Sequence, residues 1–138
     1  MTAITQTLSL RSPSLLRKAL WFDALSVAGM GLVLLLGAGL LQPLFGLEAG
    51  FLRAVAALLL TFAAFIAFVA SREPIARVAG RWIVALNEVW VIASFAILLF
   101  GWVQPTTLGT AFVIAQALVG GAVAAAEFVG LKREAAAA

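Results

Sequence analysis

Long apolar runs separated by short polar breaks set the pattern of this chain. From Ala19 to Leu41 a single charge, Asp23, interrupts the run; from Ala49 to Ser71 the polar residues are Arg53 and Thr61. From Trp82 to Val103 they are Asn87, Glu88 and Ser94, and from Thr107 to about Leu131 they are Gln116 and Glu127. Each run has about 20 residues or more, enough at about 1.5 Å per residue to cross a hydrocarbon layer about 30 Å thick.

The breaks carry helix punctuation. Ser12-Pro13 reads as a hydroxyl cap followed by Pro at the first helical position, and Gln42-Pro43 ends the first helix. Ser71-Arg72-Glu73-Pro74 closes the second, with Pro74 opening the third. Gln104-Pro105 ends the third, and Thr106 or Thr107 caps the fourth. The pattern predicts an all-α transmembrane four-helix up-down-up-down bundle with both termini cytoplasmic. Residues 1–12 form a flexible N-terminus, 13–133 the transmembrane domain with spans at about 19–41, 50–70, 82–103 and 108–131, and 134–138 a disordered tail.

Composition agrees: of 138 residues 64% are hydrophobic and only 11% charged, far below the charged content of an ordinary soluble domain. The formal charge of +3 invites a nucleic-acid reading, but the basic residues flank the apolar runs and so report orientation. Arg11, Arg17 and Lys18 precede the first helix, Arg72, Arg77 and Arg81 lie between the second and third, and Lys132 and Arg133 follow the fourth. Only Arg53 falls on the other side of a four-span chain, which places the termini in the cytoplasm of a bacterial plasma (inner) membrane, N-in and C-in. A secretory signal is the competing reading of the first run. Its length, Asp23 near its start and the lack of a small-x-small cleavage site favour a retained helix.

Without Cys or His, disulfides, thiolate chemistry and the usual zinc, copper and haem ligands are missing; no cofactor is expected. No Gly-rich phosphate loop and no Gly-x-Ser-x-Gly elbow occurs, so an enzyme is not expected. The polar residues inside the spans are the candidate site, because charge in a bilayer is costly and tends to be functional. They are Asp23, Asn87, Glu88, Gln116 and Glu127, the three carboxylates falling at one level in the inner third of the membrane. Lys18, Arg81 and Lys132 are the cations expected to pair with the carboxylates nearest the interface, and Arg53 is expected to pair with Glu48 or to reach phosphate. Asn87, Trp90 and Ser94 form a stripe on the third helix. Gly29, Gly37, Ala117, Gly121 and Ala125 are small residues suited to close helix packing.

Trp21-Phe-Asp-Ala-Leu-Ser26 is similar to Trp82-Ile-Val-Ala-Leu-Asn87, and each is followed by a Gln-Pro pair, the pattern of a duplicated hairpin. With the Gly101-Trp102-Val103-Gln104-Pro105-Thr106 ending, these openings make most of the chain resemble small four-helix bacterial membrane proteins of unassigned activity. That resemblance implies a fold and a location, not a reaction. Small multidrug transporters also have four spans, but they carry an essential Glu within the first helix, where this chain has Asp23.

Two functional readings lead, ahead of a third, a membrane enzyme acting on lipid. The first is a non-enzymatic accessory or assembly subunit, or a homo-oligomer, whose partners are the lipid bilayer and a larger membrane complex, with no nucleic acid. The second is a small proton- or cation-coupled transporter using Glu88, with Asn87, Gln116 and Glu127 along its path.

Overall fold

The computed structural model describes residues 14–137. They form four helices: α1 (Leu15–Phe45), α2 (Ala49–Ser71), α3 (Arg77–Leu99) and α4 (Thr107–Ala137). All four are long and apolar enough to span a membrane. The Ser12-Pro13 start lies outside the described residues, as do residues 1–12 and Ala138. The observed cap of α1 is Ser14, whose hydroxyl accepts a hydrogen bond from Arg17 N at 3.2 Å.

Helix ends depart from the sequence expectation in four places. α3 starts at Arg77, with Ala76 as its N-cap, and not at Pro74, which lies in the connection before it. α1 runs through Gln42-Pro43 to Phe45, because Pro in a last turn removes only one backbone bond. The helix stops instead at Gly46, whose φ of 66° is left-handed and whose N–H closes on Gln42 O. α3 ends at Leu99, short of Val103; beyond it Thr106 is drawn to the end of α1, its N donating to Phe45 O (2.9 Å) and its hydroxyl to Leu44 O (2.6 Å). Thr106 then caps α4 by accepting from Gly109 N at 3.1 Å. α4 continues to Ala137 where a disordered tail was expected at 134–138. Alanine is the strongest helix former, and Arg77 Nη2 on α3 donates to Glu134 O at 3.1 Å.

The core has two centres. Leu16, Leu20 and Ala24 near the start of α1 pack with Ile66, Val69 and Ala70 at the end of α2, Ile83 of α3 and Leu131 of α4. Leu34 and Ala38, further along α1, pack with Leu52, Ala56 and Leu59 of α2 and Val113 of α4. Much of the remaining apolar surface faces outward, including Leu25, Leu36, Leu40, Ile92 and Leu99. Water would not tolerate such a belt; lipid tails do. α1 packs along both α2 and α4, and α3 packs along α4, but α2 and α3 scarcely touch.

Among the described residues one ion pair forms, Arg17 Nη2 to Glu73 Oε2 at 2.9 Å. The same guanidinium donates to the Ala70 carbonyl and, at 3.1 Å, to that of Arg72. Arg17 thus fastens the start of α1 to the open carbonyls at the end of α2.

Candidate functional site

Three of the polar residues singled out in the sequence meet between α1, α3 and α4. Asn87 Nδ2 donates to Asp23 Oδ2 at 2.8 Å and to Glu127 Oε2 at 3.1 Å. All three are buried, with 3% of Asp23, 5% of Asn87 and none of Glu127 exposed. Helical geometry accounts for the meeting: Gly80, Ile83, Asn87 and Ser94 share the inward face of α3, and Glu127 follows Val123 and Ala124 on the inward face of α4. Both amide hydrogens of Asn87 are therefore spent on carboxylates, while Glu127 Oε1 has no hydrogen-bond partner.

Among the described residues no cation bonds to this cluster. Lys18, Arg81 and Lys132 are all exposed, and none is bonded to Asp23 or Glu127. The expected pairing of these carboxylates with interfacial bases gives way to a shared amide, because the bases lie on outward faces of their helices. Lys132 instead rests over the Phe128 ring, its Nζ 4.8 Å from the centroid. Arg53 and Glu48 are exposed and form no pair. Two acidic groups thus sit in a low-dielectric interior with one neutral donor bonded to both.

Glu88 lies apart. It follows Asn87 by one residue, which rotates it about 100° around α3 and onto an exposed face. It has no bond to Asp23, Asn87 or Glu127.

The remaining candidate, Gln116, belongs to a second network one turn and more away. Trp90 Nε1 donates to Gln116 Oε1 (2.8 Å), and Gln116 Nε2 donates to Ser94 Oγ (3.0 Å) and to Val113 O (2.8 Å). Ser94 Oγ in turn donates to Trp90 O at 2.8 Å. The stripe of Asn87, Trp90 and Ser94 read from the sequence thus serves both networks.

Between α2 and α3, where the helices part, lies a cleft of about 520 Å3. Asp23, Asn87, Trp90 and Gln116 line it among apolar residues of all four helices. A smaller cavity of about 190 Å3 shares Trp90 and Gln116 with it and continues toward Leu34, Leu47 and Leu52. The two together extend from the level of Asp23 almost to the opposite end of the bundle.

The small residues behave unevenly. Ala117 is fully buried. A Cβ on Gly121 would meet Val91 at 3.9 Å, one on Gly37 would meet only Leu41 of its own helix, one on Gly29 would meet nothing, and Ala125 is exposed. The tightest approaches between helices are at Gly109 and Gly130, neither among the small residues expected to pack: a Cβ on Gly109 would collide with the Phe45 carbonyl, and one on Gly130 would lie 2.7 Å from Leu16 Cα. The role of Arg17 was likewise not foreseen, since sequence gives its charge but not the carbonyls it reaches.

Among the described residues no group of three or more acidic side chains is placed to hold a metal ion. Comparison with family models, characterised proteins and solved structures finds no match to this chain.

Proposed function

We propose that the chain is a non-enzymatic carrier of the bacterial inner membrane, coupled to a proton or monovalent cation through Asp23, Asn87 and Glu127. The bundle runs up-down-up-down with both termini cytoplasmic. In support of that topology, the start of α1 packs on the ends of α2 and α4, and eight of the nine basic residues then share one side.

One observation carries the coupling: a fully buried Glu127, with one oxygen unpartnered among the described residues, shares its Asn87 donor with a second buried carboxylate. A proton or a small cation supplies the charge that the protein does not. The cleft beside Asp23 supplies the route by which that charge is exchanged. Glu88, exposed on another face, has no part in this reading.

The test is proton movement in proteoliposomes, read by an enclosed pH-sensitive dye under an imposed membrane potential with Na+ or K+ outside. Wild-type protein moves protons, and Asp23→Asn and Glu127→Gln each slow that movement by at least about tenfold, as expected for removal of a charge-holding group. Undiminished movement in both variants removes the reading.

The open seam between α2 and α3 favours a second reading, an accessory subunit whose partner contributes a helix there. That reading predicts co-purification of a stoichiometric partner in mild detergent; a chain purified alone with its cleft accessible counts against it.

A further inference from the structure

The α2–α3 seam joins features that together specify a ligand. Its cleft of about 520 Å3 is in the range that holds a drug-sized molecule. Its walls are apolar and aromatic, with Phe62 on α2, Trp90 on α3 and Phe112 on α4. At one end of it stands the Asp23 carboxylate, 3% exposed and linked through Asn87 to Glu127, whose Oε1 is buried and unpartnered. Among the described residues no Lys or Arg lines it. Trp90 is held by its Nε1 bond to Gln116, so its ring is fixed where it borders the cleft.

Access is lateral. Leu58 of α2 and Val89 of α3 border the cleft while remaining 64% and 60% exposed, so they stand at a mouth on the lipid side. A molecule dissolved in the membrane reaches the carboxylate through this mouth without crossing an aqueous loop. Because α2 and α3 scarcely touch, the mouth widens without breaking an established helix contact.

We propose that this seam binds an amphipathic organic cation drawn from the bilayer, its positive centre held by Asp23 and its apolar body lying against Phe62 and Trp90. Charge decides the ligand class: two acidic groups without a base attract a cation and repel an anion, and an aromatic face adds cation–π attraction. Neutral lipophiles gain the apolar contacts alone. Binding rests on the coupling reading of the buried triad proposed above. It deepens that reading by naming the chemistry of the cargo: one cation enters as one proton, or one small cation, leaves.

The experiment is binding of tetraphenylphosphonium to the purified detergent-solubilised chain, measured by equilibrium dialysis and by quenching of Trp fluorescence. Tetraphenylborate and triphenylphosphine oxide serve as the anionic and neutral counterparts. The phosphonium is expected to bind saturably and at least about tenfold more tightly than either counterpart, the ratio set by one favourable buried charge contact. Asp23→Asn, which keeps the side-chain shape, should remove that preference. Leu58→Trp, at the exposed mouth, should weaken phosphonium binding. Equal binding of the three probes, or an unchanged preference in Asp23→Asn, overturns the proposal. Proton movement that persists in wild type without phosphonium binding overturns the ligand assignment alone, whereas absence of both signals removes the coupling reading as well.

Discussion

The seam between α1 and α4 and the seam between α2 and α3 join the same kind of apolar helices with opposite results. At the first, Gly130 lets the backbone of α4 come down on Leu16, and Gly109 lies against the Phe45 carbonyl at the other end. At the second, Leu58 and Phe62 face Leu86, Val89 and Trp90 across a cleft. In lipid, apolar side chains gain little by leaving one apolar environment for another, so helices close where small residues bring their backbones together and stay apart where bulk holds them off. Hydrophobicity puts all four helices in the membrane; residue size determines which of them touch. The polar triad lies along the closed seam, and two of its members, Asp23 and Asn87, border the cleft of the open one, which gives it both rigidity and access.

The largest effect should come from forcing the closed seam apart. Gly130→Val places side-chain atoms into the Leu16 backbone and should lower stability by about 3 kcal/mol, the upper end of an overpacking penalty. Gly29→Val, with nothing within 4 Å of the new Cβ, should leave stability near wild type. Thermal unfolding in one detergent compares the two. Equal losses would show that the seam is not held by close approach.

Removing the polar link between the seams ranks next. Asn87→Leu leaves Asp23 and Glu127 without their shared donor and should cost about 2 kcal/mol, the penalty of unsatisfied buried acceptors. Arg17→Ala should cost about 1 kcal/mol, because the guanidinium, itself 19% exposed, pairs with a Glu73 that is 86% exposed and screened by water. Its loss should also raise hydrogen exchange at the end of α2, where Ala70 and Arg72 lose their donor. Protection unchanged there would sink the fastening role.

Helix number and approximate helix bounds were legible because length and hydrophobicity are one-dimensional properties. Azimuth was not. Glu88 and Asn87 are neighbours in sequence and equal in depth, but only a choice of inward face separates them, and the carboxyl of Glu88 drew attention that belonged to the amide. A signal was present: Gly80, Ile83, Asn87 and Ser94 recur at spacings of three, four and seven, and Glu88 is off that line. The apparent duplication misled in a different way. A twofold axis relating the two hairpins would make the α1–α4 and α2–α3 seams equivalent, and they are not. The Gln-Pro pairs differ as well, since Gln42 lies within α1 and accepts from Ala49 N at 3.1 Å, whereas Gln104 lies beyond the end of α3.

The smallest expected effect isolates that question of face. Glu88→Gln removes a carboxylate from the exposed side of α3 and touches neither network, so stability should change by less than about 0.5 kcal/mol. Any change should be toward greater stability, because a neutral amide in the lipid belt is less costly than a charge. Proton movement and phosphonium binding should both match wild type. Set beside Asp23→Asn, this variant asks whether depth alone makes a carboxylate functional or whether it must also face the cleft. Were Glu88→Gln to abolish movement while Asp23→Asn left it intact, the working face of α3 would be the one turned to lipid, and the buried triad would be structural.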